Sequence, residues 1–316
     1  MTLIRSLLPD AIIDSHHHLW DLKGGIRYPW LQDQYDPTAF ILGDYQPLCQ
    51  DFLVEDFKKC WGGMPVVSSV HIEAECDRSQ AQMESSWLMQ VALSQRFPTV
   101  LIGYVDLLSA NCAEQLDRQM KHTLFRGVRC KPVTSRTPDQ SVRERPGSLQ
   151  DARWLEGLRQ LSSRGLIWDL RVPFWHLGEA AELLKQCPST KVVIEHAGLP
   201  WDRSPEGLAH WRKGMRMLAD LPNGICVKLS ELGLAGAPWK YEDNRIIVQE
   251  LIAMFGWERC MFGSNFPVAS LRIGYTDLIR AMSNMLSDLS GDARHAIWYE
   301  NANRMYSMGQ HKEQQP

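Results

Sequence analysis

The chain has 316 residues, 44% hydrophobic and 22% charged, which excludes global disorder and leaves room for a single barrel of more than ~250 residues. Thirty-four basic side chains against 37 acidic give a formal charge of -3, so no broad attraction to nucleic acid or an anionic membrane surface is expected and a small-molecule partner is favoured. Eight scattered cysteines without a CxxC pair, and no apolar run near the ~20 residues of a membrane span, fit a cytoplasmic protein with reduced core thiols.

Ala11 to Asp14 is the first apolar run and leads directly into Ser15-His16-His17-His18. The segment from Leu19 to Met64 is long, rich in Pro, Trp and Tyr, and weakly periodic, as a functional cover would be. Val66 to Glu73 predicts a second strand and Ser79 to Gln95 a helix; Val100 to Val105 and Cys112 to Lys121 repeat the pair. Phe125 to Cys130 is followed by a second long loop, Pro132 to Gly147, which holds Arg136, Arg143 and Arg145, and then by a helix over Asp151 to Arg164. Four more strands follow, at Leu166 to Leu170, Lys191 to Glu195, Ile225 to Leu229 and Cys260 to Phe262. Their helices are Leu177 to Gln186, Pro205 to Ala219, Asn244 to Phe255 and Tyr275 to Met285. Gly165 and Gly256 stand where helices should stop, and the polar tail from Gln310 to Pro316 should fray. Eight short strands, several of them nearly continuous in Val, Ile and Leu, alternating with helices predict an α/β fold, a (β/α)8 barrel forming one domain over 1–316, in preference to an open doubly wound sheet.

Barrel active sites form where strands end, so the strand ends carry the functional reading. Strand alternation puts His16 and His18 on one side and His17 on the other, and two imidazoles in one cavity suit a metal site or a proton-transfer and anion-binding centre. Polar chemistry recurs at His71-Ile72-Glu73-Ala74-Glu75, Glu195-His196-Ala197-Gly198 and Gly263-Ser264-Asn265-Phe266-Pro267. His17, His71 and His176 read better as hydrogen-bonded structural residues. Trp20, Tyr28 and Trp30 either shield a cyclic substrate or pin the first loop to the barrel; Trp87, Trp154, Trp211 and Trp298 read as packing residues. There is no glycine-rich phosphate loop, GxSxG elbow or nucleotide fingerprint.

Five motifs in order, Asp14-Ser15-His16-His17-His18-Leu19-Trp20, Tyr28-Pro29-Trp30-Leu31, Arg126-Gly127-Val128-Arg129, Glu195-His196-Ala197-Gly198-Leu199-Pro200 and Met261-Phe262-Gly263-Ser264-Asn265-Phe266-Pro267, resemble the amidohydrolase superfamily. The similar branch is the amidohydrolase-2 group of 2-pyrone-4,6-dicarboxylate and sugar-acid lactonases, and the match runs from about residue 11 to about residue 306. The resemblance implies a distorted TIM barrel with His16, His18 and His196 at the catalytic centre, holding a divalent ion such as zinc or manganese or, without one, polarising the scissile carbonyl. It also implies a departure: Asn265 stands where hydrolytic members usually carry the Asp that activates water, and an amide cannot take a proton near neutral pH. Glu73, Glu75 and Glu195, at the other polar strand ends, are the candidate substitute bases. Trp20, Glu73, Arg129 and Arg171 are the expected substrate-binding residues; a planar guanidinium suits a substrate carboxylate, and it equally suits a structural ion pair. The expected function is hydrolysis of a lactone or related cyclic ester of a small carboxylated or hydroxylated compound. The alternatives are decarboxylation or other C–C cleavage, and a non-catalytic ligand-binding barrel. The exposed aromatic loops leave room for a homodimer.

Overall fold

The computed structural model describes residues 7–308, so the expected fraying of the tail at Gln310 to Pro316 lies outside the described residues. Eight strands form one sheet in sequence order, every neighbouring pair parallel: β1 (Ile12–His17), β2 (Val66–Ile72), β3 (Val100–Gly103), β4 (Phe125–Val128), β5 (Ile167–Leu170), β6 (Lys191–Ile194), β7 (Cys226–Leu229) and β8 (Cys260–Phe262). The ring closes just beyond β8, where Asn265 N donates to His16 O at 2.7 Å and His18 N to Phe266 O at 2.8 Å. Buried Asp14 straps the same seam, accepting from Ser264 N at 2.8 Å and from the Tyr275 hydroxyl at 3.0 Å.

Seven crossovers or returns carry the expected helices: Ala81–Gln95, Cys112–Gln119, Arg153–Ser163, Leu177–Leu184, Pro205–Ala219, Tyr241–Phe255 and Tyr275–Met285. The local chemistry explains their ends. Ser204 caps the fifth of these by accepting from Gly207 N, with Pro205 in the first turn, and Gly165 and Gly256 terminate helices at positive φ of 67° and 74°. The buried faces of these helices pack on the outer strand residues around Trp154, Trp168, Trp211 and Trp298, all essentially inaccessible. A second apolar layer, Ile13, Val70, Ile102, Val193 and Met261, fills the ring from within. The last helix, Asn301–Met305, completes this layer by inserting Ala302 and Tyr306 among the strands. The chain thus stoppers one end of its own barrel and leaves the C-terminal strand ends as the mouth.

The first crossover is an ordered cover with its own small core of Trp20, Tyr28, Leu31, Leu42, Tyr45 and Leu48, sewn to itself by paired Trp20–Phe52 backbone bonds of 3.0 Å. All eight cysteines are free and six are buried. No helix among the described residues is long and apolar enough to cross a membrane.

Gly127 of β4 lies close against β5: a Cβ there would fall 2.4 Å from the Ile167 carbonyl oxygen and 2.9 Å from the Ile167 Cβ. Gly127→Ala is therefore expected to destabilise the fold by about 1–3 kcal/mol, the usual cost of overpacking, read as a lower urea midpoint at unchanged slope. An unchanged midpoint would mean that β4 and β5 part more easily than their packing indicates.

Candidate active site

β1 runs through His17, so backbone alternation acts directly on the histidines. His16 and His18 converge, with Nε2 atoms 3.2 Å apart, while His17 turns outward to Ser69 Oγ at 2.9 Å and stacks on Phe57. His196, from the end of β6, comes to 4.4 Å from His16 between ring centres, so imidazoles about 180 residues apart in the chain share one centre. His71 faces the Leu19 carbonyl, and His176 is taken up by Ser135 and Glu179.

The hydrogen bonds settle the state of His18. The Ile72 carbonyl, 2.8 Å from His18 Nδ1, can only accept, so Nδ1 carries the hydrogen. Burial first, and then the nearby Arg129 charge, hold His18 well below the ordinary imidazole pKa; the ring is neutral and its Nε2 lone pair faces His16 Nε2 at 3.2 Å. Burial does the same to His16, reinforced by His196 and Lys228, and to His196, reinforced by Arg171 and Arg129. Ser230 Oγ lies 3.0 Å from His196 Nδ1 and fixes the plane of that ring.

Beneath the imidazoles lies a buried charge network. Arg129 donates to Glu73 Oε1 at 2.8 Å, to the Glu73 carbonyl, and to Glu195 Oε2 at 3.5 Å, while Arg78 holds the other Glu73 oxygen at 2.7 Å. Burial alone would raise the Glu73 pKa, yet Arg129 and Arg78 hold it down to about 2. Glu75, paired with Lys131, is likewise held below the ordinary range by Lys131, Arg129 and Arg171 against its burial. Carboxylates so neutralised are poor bases. On the opposite side, Lys228 Nζ bonds Asp169 Oδ1 at 2.6 Å and approaches His16 Nδ1 at 3.4 Å, while Tyr306 donates to the second Asp169 oxygen at 3.1 Å.

Above this floor opens a cavity of about 290 Å³, walled by His18, His196, Asn265, Lys131 and Arg171 from the strand ends and by Trp30, Phe40 and Tyr45 from the cover. Arg171 makes no hydrogen bond or ion pair with any described residue, whereas Arg129, which also lines the cavity, is held by Glu73 and Glu195. Trp30 reaches the cavity; Trp20 and Tyr28 lie beneath it, fully buried, and pin the cover. Of the eight non-glycine residues at positive φ among those described, six sit at strand ends around this mouth: Glu75, His196, Ala197, Leu199, Glu231 and Asn265. Such backbone costs about 1–3 kcal/mol each and concentrates at functional sites.

Four site residues escape inspection of the histidine-bearing strand ends. Lys131 stands two residues beyond Arg129, just past the end of β4, so the alternation of extended backbone points to it. Lys228 and Asp169 are charged residues inside apolar strands, the signal being their presence there at all. Glu231 follows β7 by two residues and bonds Asn265, with Asn265 Nδ2 donating to Glu231 Oε2 at 2.6 Å.

The donors fit a divalent ion. The His16–His18 separation of 3.2 Å suits two nitrogens each about 2.0–2.1 Å from one tetrahedral zinc. His16, His196 and Glu195 bring ligand atoms within 4.8 Å of one another, and buried Glu195 Oε1 lacks a hydrogen-bond partner.

Residues 13–308 match the family model described as Amidohydrolase. The Sinorhizobium fredii protein y4mH is 35% identical over 94% of this chain and 98% of its own length. An L-fucono-1,5-lactonase of Burkholderia multivorans is 28% identical over 94% of this chain and 96% of its own. A crystal structure of an amidohydrolase from Burkholderia multivorans, with bound zinc, superposes with a TM-score of 0.77 at 25% identity, covering 94% of this chain and 99% of that one.

Proposed function

The chain belongs to the amidohydrolase family, and on that footing we propose that it is a hydrolase that opens a lactone, or a related cyclic ester, of a small carboxylated or hydroxylated acid. The observation that carries this reading is the pairing, in one monosaccharide-sized cavity, of neutral imidazoles at the floor with the unpartnered Arg171 guanidinium on the wall. Neutral nitrogen bases suit attack on an acyl carbon, and a free planar cation suits a carboxylate or ring hydroxyls. The likeness to an L-fucono-1,5-lactonase over nearly the full length of both chains supports the same substrate class.

In this mechanism Arg171 and Lys131 anchor the polar rim of the ring, and the aromatic cover excludes bulk water. A divalent ion held by His16, His18 and His196, with Glu195 beside them, would supply Lewis acidity at the acyl oxygen. The Asn265 carboxamide aligns the attacking water. With no ion on the imidazoles, the proton of the water passes to His18 Nε2 as its oxygen bonds to the acyl carbon, and the ring oxygen leaves as a hydroxyl by taking that proton back. Without the ion, His196 steadies the developing oxyanion.

A panel of carboxylated and polyhydroxylated lactones, followed with a pH indicator with and without added zinc or manganese, tests the reading. Ring opening above the spontaneous rate supports it. Opening of no panel member rejects it, and carbon dioxide release from an aromatic or pyrone acid would place the enzyme with C–C chemistry instead. Arg171→Leu should raise KM for a carboxylated lactone about 10- to 100-fold with kcat little changed, as loss of a charged hydrogen bond used equally in ground and transition states requires. An unaltered KM would remove Arg171 from the substrate site.

A further inference from the structure

The end of β7 supplies a carboxylate for which the mechanism above has no use. Glu231 is buried, stands at φ 43°, and holds two donors: Asn265 Nδ2 on Oε2 at 2.6 Å and Gly233 N on Oε1 at 3.3 Å. Asn265, at φ 56° on the adjoining strand end, lines the cavity, and its Oδ1 is buried without a partner. An ionised carboxylate only accepts hydrogen bonds, so it must face the amide NH2 group; the amide oxygen is thereby aimed away from Glu231. We propose that Glu231 is the positioning residue that locks the Asn265 carboxamide with its oxygen toward the cavity, giving the pocket a fixed neutral acceptor for the attacking water. The inference rests on the hydrolytic reading of this cavity.

The arrangement has a built-in reversal. A protonated Glu231 becomes a donor, and the amide satisfies it by turning its oxygen inward, which presents NH2 to the cavity. A group that donates cannot hold a water whose lone pair must stay free for attack. Burial raises the Glu231 carboxyl to about 7, opposed by the Asn265 and Gly233 hydrogen bonds and by the charges of Arg272, from beyond β8, and Arg171, from the end of β5. The acceptor therefore faces the cavity above about pH 7 and is withdrawn as pH falls.

Two readouts test this. In kinetics, wild-type kcat/KM should fall tenfold per pH unit below about 7. Glu231→Gln, which keeps an acceptor for Nδ2 but cannot titrate, should lose that acid limb. Glu231→Leu, which offers no acceptor, should lose about tenfold in kcat with KM little changed, the equivalent of one neutral hydrogen bond. An acid limb that persists in Glu231→Gln, or an undiminished kcat in Glu231→Leu, overturns the proposal. The second readout needs no substrate: in protein labelled with 15N-asparagine, the carboxamide resonance of Asn265, assigned by its absence in Asn265→Asp, should titrate in wild type and stay fixed in Glu231→Gln. A titrating resonance in a protein that opens no lactone upholds Glu231 as the orienting group and rejects the hydrolytic reading. A resonance indifferent to pH in an active lactonase rejects the role of Glu231 alone.

Discussion

Replacing His18 by Ala is expected to lower kcat/KM by about 10²–10⁴-fold, the range for removal of a general base. The expectation follows from one hydrogen bond. Because the Ile72 carbonyl claims the Nδ1 hydrogen, the Nε2 lone pair is available to a proton or a metal, and Ala supplies neither. His17 is the internal control: its imidazole points outward to Ser69 and Phe57, so His17→Ala should cost stability and leave kcat/KM within a few fold of wild type. Steady-state kinetics of the two variants at matched folded fraction separates the roles. Equal losses in both would mean that the strand as a whole, rather than the inward imidazoles, sustains activity.

Arg129→Met is expected to destabilise the protein by about 3–5 kcal/mol, the cost of stranding a buried carboxylate by removing its partner. Arg129 is all but inaccessible and joins Glu73 on β2 to Glu195 on β6 across the floor of the barrel, with three hydrogen bonds to these two residues. Met fills comparable volume, so the loss measures charge rather than a cavity. Arg78 still neutralises part of Glu73, so adding Glu73→Gln should recover only part of the deficit, the remainder residing at Glu195. Urea unfolding of the single and double variants is the measurement. An unfolding free energy within ~0.5 kcal/mol of wild type for Arg129→Met, the range of an ordinary surface substitution, would show that water reaches this floor and solvates the charges.

Much of this architecture was legible from the chain because its causes are local. Runs such as Val100 to Ile102 and Val192 to Ile194 are continuous because their strands are covered on both faces, and Pro205 to Ala219 carries both its cap and its period. The convergence of His16 and His18 follows from strand alternation alone. Partner choice is a different matter, since it is decided by distances across the ring. The sequence motif around Arg129 suits a substrate carboxylate or an ion pair equally, and only the fold shows that Glu73 and Glu195 lie within reach of its guanidinium. Glu231 was invisible for the same reason: Leu229-Ser230-Glu231 carries no histidine, and its meaning arises from lying beside Asn265. The insertion of Tyr306 into the barrel was equally hidden, because a short helix after the last strand has no periodicity that distinguishes a stopper from an outer helix.

Turnover of a lactone in water enriched in 18O tests most directly whether this cavity directs water onto an acyl carbon. The product should carry one heavy oxygen in its new carboxylate and none in its new hydroxyl, at a rate that collapses in His18→Ala. Product free of label in the carboxylate, or labelled in the hydroxyl, would contradict acyl attack at this site.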